Sequence, residues 1–552
     1  MQREETARSR EESRLWRILP WIWLGIAWLS GIFLMACFGR TLLDSDMASE
    51  MVLASLLNRE GGMVSANWYY SNELRVFCQQ LLFKLGLWIF PDHWHAARML
   101  AQALLSALLA AAYLYFAYGA GLRKSAPLAA GVLLCPFGFW QMFWGVFGGY
   151  YFVHMIFVLL SMGLLVRVAW PGGSLRRTWL RIAALAIVGF CAGINGIRIL
   201  MNLYVPLIVA GMAVLAVRVH RAPLGKPPLC VPEVRVLASA GAVFISSVAG
   251  YLINITVLAA RYHFRSYNGR IWTNLNVDLL LERWSDFLVL FGYQVDGFQR
   301  TLSGTVPLFR PIGLLNVASF VLMGALLFST GFLIRRHAQL KGQHGLILAV
   351  FLSCMIVDGI AFSCLNDSQD VNGGYWLPVV PLAVAVVSAA GQNIPLRLAH
   401  ARKGLAVCAL AMVVCCSTAT VMRFIKNPPR ADRHLVEVSD WLVEQGYTQG
   451  ITTFWYANVL TELSNGRIEM WTVNSMETLE PHDKLQETDH VLPPSGRTFV
   501  LINPYEEVSR LPYYDEAHIV YADEAGYQIL AFEDGRALIN AAGDAAVPEG
   551  GA

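Results

Sequence analysis

The chain has 552 residues, of which 56% are hydrophobic and only 15% are charged. A soluble globular protein averages about 45–50% apolar and about 25% charged residues. The apolar residues here are gathered in blocks of roughly 17–25, the length of helix that crosses a bilayer. The composition therefore excludes soluble globular and disordered proteins and predicts an integral membrane protein.

The net charge of +3 hides a division between two parts of the chain. Residues 423–552 carry 9 Lys and Arg against 21 Asp and Glu, a net charge of −12, and the remainder carries +15. This predicts an acidic aqueous domain after a membrane part whose basic loops face the cytoplasm. The basic residues are scattered among loops, so nothing supports nucleic-acid binding. The ten cysteines form no CxxC pair, which argues against a zinc site or a disulfide framework.

In chain order, a cytoplasmic N-terminal segment (1–17) precedes about eleven predicted transmembrane helices, each an apolar run of bilayer-spanning length. The runs are 18–38, 96–118, 126–143, 147–166, 179–197, 199–217, 236–260, 311–334, 345–364, 375–391 and 404–422. Lys and Arg recur in alternate loops, which predicts that the N-terminus is inside and the C-terminus outside.

The membrane domain is thus predicted at 18–422, with long outer loops at 39–95 and 261–310. Amphipathic stretches in these loops, 74–90 and 277–291, are predicted to lie in the membrane interface. A C-terminal extracytoplasmic α/β domain is predicted at 423–540, followed by a disordered tail, 541–552. Its predicted elements are helices at 433–446 and 457–464 and strands at 450–456, 468–473, 498–502, 518–522 and 527–533.

Two carboxylates, Asp44 and Asp46, stand two residues apart directly after the first apolar run. A carboxylate at this depth can deprotonate an acceptor hydroxyl or hold a divalent cation against a phosphate. The alternative is that these aspartates only mark the point where a helix leaves the membrane.

Three arginines on the predicted outer side are candidates for binding a phosphate through charge-assisted hydrogen bonds. Arg75 and Arg98 belong to the first long outer loop and the helix after it, and Arg198 is the one cation in the tight turn at 195–199. Pairing with acidic side chains at the interface is the structural alternative for each. An acidic loop at 366–370 is more simply a solvated turn.

The order of these motifs resembles the GT-C glycosyltransferases, which use polyprenyl-phosphate-linked sugars, and within them the protein O-mannosyltransferases and the lipid A aminoarabinose transferases. In that family the first outer loop opens with an acidic D-E-A or D-S-D-E-A motif, matched here by Asp44-Ser45-Asp46-Met47-Ala48. The segment Ala96-Ala97-Arg98 is similar to the family's A-x-R start of the second helix. The segment Gly374-Tyr375-Trp376-Leu377-Pro378 is similar to its R-Y-L-L-P motif, with Gly374 where the family has Arg.

The resemblance implies a membrane glycosyltransferase that transfers a sugar from a polyprenyl-phosphate donor to an extracytoplasmic glycan, glycolipid or protein, with inversion at the anomeric carbon. Asp46 would be the general base, with Asp44 as the second carboxylate. A divalent cation, Mg²⁺ or Mn²⁺, held by Asp44 and Asp46 is an open alternative. The predicted substrate- and phosphate-binding residues are Glu73, Arg75, Arg98, Arg198, Arg265 and Tyr375.

The predicted location is the cytoplasmic (inner) membrane of the cell envelope, with the bilayer and the lipid-linked donor as partners. A transporter or flippase of lipid-linked sugars is the main rival, but the sequence shows no two-fold repeat, and the one clear mid-span charge is Asp358. A non-catalytic envelope assembly protein is the third possibility.

Overall fold

The computed structural model describes residues 2–71, 74–170, 174–221, 232–264, 272–275, 277–293, 308–309, 311–364, 373–395, 399–426 and 433–542. The chain forms two compact units. The first unit is Met1–Phe33, Ala103–Ile255 and Asn268–Arg423, and the second unit is Leu34–Gln102, Thr256–Tyr267 and Phe424–Ala552. The second unit therefore combines the first predicted outer loop with the C-terminal acidic region, although the two are far apart in sequence.

Helices dominate the membrane region. They are α1 (Gln2–Phe38), α2 (Ser45–Glu60), α3 (Gln80–Ile89), α4 (Trp94–Gly119), α5 (Ala126–Leu134), α6 (Tyr150–Ala169), α7 (Leu175–Ile194), α8 (Val205–Arg221), α9 (Pro232–Ile253), α10 (Val277–Val289), α11 (Pro311–Arg335), α12 (Gly342–Ser363), α13 (Val380–Asn393) and α14 (Ala399–Lys426). Among the described residues, ten helical segments are long and apolar enough to cross a membrane. The prediction of a multi-pass helical membrane protein is confirmed, whereas its orientation stays a prediction.

The predicted span 126–143 is not one continuous helix. Helix α5 ends at Leu134, Cys135 is extended, and a π-helical segment, Gln141–Phe147, follows. The physical reason is Pro136, because proline has no amide hydrogen and disfavours a helical conformation in the residue before it. A hydropathy average over the run does not register this interruption.

The interrupted segment still returns across the first unit. Helices α4 and α6 end side by side, since Arg167 near the end of α6 donates from Nη2 to the Tyr115 carbonyl of α4 over 2.6 Å. Its guanidinium also lies 3.8 Å from the centre of the Tyr115 ring. Because both helices end at one face, the chain between Gly119 and Tyr150 runs back to the opposite face. This is the course that the predicted third span requires.

Helices α7 and α9 pack closely because small residues line their contact. A methyl group at Gly193 would lie 1.9 Å from the Ser247 carbonyl oxygen, and one at Gly250 would lie 2.3 Å from the Phe190 carbonyl oxygen. Small residues let membrane helices approach until their backbones touch, which supplies van der Waals contact where the hydrophobic effect between helices is absent.

The C-terminal part of the second unit is an α/β fold, as predicted. Its elements are α15 (Arg433–Glu444), β3 (Gln449–Thr453), α16 (Phe454–Leu463), β4 (Glu469–Val473), β5 (Thr498–Ile502), β6 (Ile519–Ala522), β7 (Gln528–Phe532) and α17 (Ala537–Ala542). The strands form one sheet in the order β4-β3-β5-β7-β6, in which β3 is parallel to β4 and β5, and β7 is antiparallel to β5 and β6. All five residues of β5 are buried, as expected for a central strand. Of the predicted disordered tail, residues 541–542 end α17 and 543–552 lie outside the described residues.

The predicted outer loops contribute short elements of their own. The amphipathic stretch 74–90 forms a helix only from Gln80 to Ile89, and the stretch 277–291 forms α10 from Val277 to Val289. Residues preceding α3 instead pack in a small core that includes Trp68, Tyr70 and Leu74. Strand β1 (Tyr69–Tyr70) pairs in parallel with β2 (His263–Phe264), so the two long loops meet within the second unit.

Candidate functional site

The Asp44–Asp46 turn is the start of helix α2. Asp44 has an extended backbone (φ −116°, ψ 154°), and its side chain accepts a hydrogen bond of 3.0 Å from the Asp46 amide. Asp is among the best N-cap residues because its carboxylate satisfies an amide that has no partner inside the helix. Asp46 then falls in the first turn, where the helix dipole stabilises a negative charge.

The Asp46 side chain is available for chemistry. It is partly exposed, and its carboxylate makes no hydrogen bond or ion pair with another described residue. Glu50 follows one helical turn later, on the same face of α2. Burial raises the pKa of Glu50, the nearby Asp46 charge raises it further, and the guanidinium groups of Arg75 and Arg98 oppose both effects.

Arg75 supplies positive charge beside these two acids. Its Nη1 lies 3.3 Å from Glu50 Oε1, and its side chain keeps a quarter of its surface exposed. Glu73 and Arg265, both predicted to bind substrate, lie outside the described residues. The structure thus joins Asp46, Glu50 and Arg75 on one side of α2, whereas the sequence analysis did not select Glu50.

Arg98 lies in a different environment from the predicted one. Its side chain is 1% exposed, and Nε and Nη2 donate to the two carboxylate oxygens of Glu462 over 2.5 and 2.6 Å. Nη2 also donates to the Met47 carbonyl over 2.9 Å. These contacts match the alternative of pairing with an acidic side chain, and the role of Arg98 as a phosphate ligand stays a prediction.

Glu462 is the partner that the sequence analysis missed. It lies in α16, among apolar residues such as Leu460 and Leu463. A single acidic residue in such an apolar helix could have indicated that Glu462 has a buried basic partner. Helix α16 also contacts the start of α2 directly, because Ser45 Oγ donates to the Phe454 carbonyl. Two polar links from α16 therefore fix the turn that carries Asp46.

The first unit contains a second predicted cluster, around Arg198. Its Nη1 donates to the Tyr151 hydroxyl over 2.5 Å, and its guanidinium carbon lies 4.5 Å from the Tyr375 ring centre and 5.3 Å from that of Tyr150. Tyr375 is held in turn by Asn202, whose amide donates to the Tyr375 carbonyl over 3.1 Å. Arg198 and Tyr375, predicted separately, are thus in contact within this unit.

The described residues bring together no group of three or more His, Cys, Asp or Glu side chains with metal-ligand geometry. One oxygen of Asp44 is used in capping α2, and Arg75 places positive charge near Glu50. A divalent cation held by Asp44 and Asp46 stays a prediction. The acidic loop at 366–370 lies outside the described residues.

We expect the Glu50→Gln substitution to remove a pH-dependent part of the stability. Because the folded-state pKa of Glu50 is raised, its contribution is fully present below the unfolded pKa and is lost as pH rises through the folded pKa. Each pKa unit corresponds to about 1.4 kcal/mol. Thermal unfolding in detergent should therefore show the melting temperature of E50Q rising relative to that of the wild type as the pH is raised from 4 to 8. A difference that does not vary with pH would contradict this, and the exposed E437Q is the control.

The predicted resemblance to the GT-C glycosyltransferases is confirmed at the level of the fold alone. No protein-family model matches the sequence, and no curated protein matches it.

Two solved structures are similar over nearly the whole chain. The crystal structure of ArnT from Cupriavidus metallidurans bound to undecaprenyl phosphate has a TM-score of 0.57 at 12% identity, covering 97% of this chain and 99% of that one. The apo ArnT structure from the same organism has a TM-score of 0.52 at 12% identity, covering 92% and 98%. At this identity, the likeness shows that the fold is shared.

Proposed function

We propose that this protein is a membrane glycosyltransferase that transfers a sugar from a polyprenyl-phosphate donor to an acceptor outside the cytoplasm. The observation that carries the proposal is Asp46, whose carboxylate is held at a capped helix start without a side-chain partner among the described residues. The likeness in fold to a protein crystallised with undecaprenyl phosphate supports a lipid-linked donor. The C-terminal domain is proposed to face the outside, in agreement with the positive charge of the alternate loops.

In the proposed reaction, Asp46 removes the proton of an acceptor hydroxyl as that oxygen attacks the anomeric carbon. The new bond between oxygen and carbon forms while the bond from the anomeric carbon to the phosphate oxygen breaks. The electron pair of that bond leaves with the polyprenyl phosphate, and the anomeric centre is inverted. General-base catalysis of this kind contributes about 10²- to 10⁴-fold to the rate.

Cations should matter more than a general acid, because a phosphate leaving group needs little protonation. Arg75 is the proposed electrostatic partner near Asp46, since Glu50 contacts it and lies one turn from Asp46. Asp44 is proposed to orient Asp46 by capping α2 rather than to react itself. Arg198 and Tyr375 are proposed to bind the donor phosphate in the first unit, and Glu73 and Arg265 stay predictions.

Mass spectrometry of envelope glycans, glycolipids and proteins from cells with and without the protein tests the proposed activity. We expect one sugar substituent to be missing in cells that lack the protein and to return with the wild-type gene but not with the D46N variant. If the envelope is unchanged in all three strains, the proposed function is wrong.

We expect Arg198→Gln to raise the KM for the lipid-linked donor about tenfold or more, since a charge-assisted hydrogen bond to phosphate would be lost. R198K keeps the charge but loses the planar stacking on the tyrosines, so its effect should be smaller. Donor titrations with purified protein measure this. R123Q, which removes another arginine beside a tyrosine in the first unit, is the matched control. An unchanged donor KM in R198Q would rule out the assigned role.

A further inference from the structure

The sheet of the C-terminal domain has one place where the connections of two neighbouring parallel strands diverge. Strand β3 continues through α16 to β4 on one side, whereas β5, its parallel neighbour on the other side, continues to the antiparallel strands β6 and β7. The carboxyl ends of β3 and β5 therefore lie side by side. In open α/β sheets, ligands bind outside the carboxyl ends of the strands at such a switch point. The proposed reaction uses no residue of this edge.

The segments that leave these two strands each carry an exposed aromatic side chain. Trp455 follows the end of β3 and is 42% exposed, and Tyr505 follows the end of β5 and is 87% exposed. The Trp455 ring lies against the buried ring of Phe454, with the two centres 5.0 Å apart. Tryptophan is highly buried on average, so an exposed indole supported by a buried ring indicates a binding surface.

The turn that carries Asp46 is attached to the same edge of the sheet. Ser45, which directly precedes Asp46, donates from Oγ to the carbonyl of Phe454. Phe454 is the first residue after β3 and directly precedes Trp455. A single buried hydrogen bond therefore joins the proposed general base to the residue next to the exposed tryptophan.

The direction of Trp455 follows from its spacing on α16. Trp455 and Glu462 are seven residues apart, and residues at this spacing lie on one face of a helix. Glu462 is joined through Arg98 to the Met47 carbonyl, so this face is turned toward the first turn of α2. Trp455 therefore lies beside the start of α2, where Asp46 is.

An exposed indole beside a general base suits one class of acceptor. The indole has a wide apolar face, and a sugar ring has apolar C–H bonds on its faces and hydroxyl groups around its rim. A sugar that stacks on Trp455 buries its apolar face and keeps its rim hydroxyls free to reach Asp46. A serine or threonine of a protein acceptor has no such face to stack.

We infer that the acceptor is a saccharide whose ring stacks on Trp455, so that one of its hydroxyl groups meets the Asp46 carboxylate. The inference rests on the proposed function and adds the class of acceptor to it. Tyr505, on the other side of the switch point, contacts a further sugar unit of the same acceptor.

The test is sugar binding to the full-length protein in phosphatidylcholine nanodiscs, measured by saturation-transfer difference NMR. The probe is the mixture of sugars released by mild acid and by deacylation from the envelope of cells that lack the protein. We expect W455A to weaken binding about tenfold or more, as expected for the loss of a stacking ring, and W455F to weaken it less. W88A removes another exposed tryptophan of the second unit and is the matched control, with no change in binding expected.

If the wild type binds none of these sugars, or if W455A binds them equally well, the inference is wrong. It is also wrong if envelope mass spectrometry finds the transferred sugar attached to an amino-acid side chain. If sugar binding depends on Trp455 while D46N retains full transfer, the proposed function fails and the sugar site stands. If D46N abolishes transfer while W455A keeps the wild-type KM for the acceptor, the proposed function stands and the sugar site is wrongly assigned.

Discussion

The Asp46→Asn variant is expected to insert and fold but to transfer the sugar about 10²- to 10⁴-fold more slowly, because the amide cannot accept the acceptor's proton. The loss should be in kcat, since the charge of Asp46 is not proposed to bind the donor. The measurement is single-turnover transfer by purified protein in nanodiscs, with the lipid-linked donor that envelope mass spectrometry identifies. Unimpaired transfer by D46N would overturn the mechanism.

Two further variants make this result specific. D92N changes an exposed aspartate of the same outer loop and should keep wild-type activity. D44N should stay close to the wild type because asparagine is as good an N-cap as aspartate, whereas D44A should lower stability by about 0.5–2 kcal/mol. If D44N instead falls as far as D46N, Asp44 takes part in the chemistry as the family resemblance implies.

Removing Glu462 is expected to have the largest effect on stability. In E462A, the guanidinium of Arg98 would stay buried without its carboxylate, and breaking a buried pair in this way costs about 3–5 kcal/mol. Denaturant unfolding in detergent micelles, followed by tryptophan fluorescence, measures the change in the free energy of unfolding. The matched control is R433Q, which breaks an exposed ion pair with Glu437 and should change stability by at most about 0.5 kcal/mol.

The double variant R98M/E462M tests whether the cost of E462A comes from leaving the Arg98 charge buried without a partner. Replacing both charges with apolar side chains of similar length removes the unpaired charge, so stability should recover toward the wild type. The Nη2 bond to the Met47 carbonyl is still lost, and the turn carrying Asp46 should be less well held. We therefore expect the double variant to fold but to have a lowered kcat. If E462A unfolds like the wild type, the pair is not structurally important.

The sequence predicted those features that depend on local pattern. Apolar length predicted the membrane helices, and alternation of apolar and polar residues predicted each strand of the C-terminal sheet to within a few residues. The exception in the sheet is the end of β3, where the strand predicted to Tyr456 stops at Thr453 because α16 begins at Phe454. The break after α5 could have been predicted from Pro136, since proline acts locally as well.

Features that depend on contacts between distant residues were not predictable. Nothing in the local sequence of Tyr375 indicates that Arg198 lies 4.5 Å from its ring. The same is true of Glu462 and Arg98, which are far apart in sequence but form a buried ion pair. Motif order suggested the family resemblance, but a motif does not distinguish a catalytic carboxylate from one that caps a helix. The capping role of Asp44 is evident only from the hydrogen bond that its side chain accepts from the Asp46 amide.

The pairing of Arg98 with Glu462 also means that one support of the Asp46 turn forms late in translation. The two residues are 364 positions apart in the chain. At about 5–20 residues per second, the ribosome makes Glu462 about 20 to 70 s after Arg98. Throughout that interval, the nascent chain carries an arginine at the start of α4 whose final carboxylate does not yet exist. The contacts that Glu462 makes behind the turn bearing Asp46 can therefore form only late in synthesis.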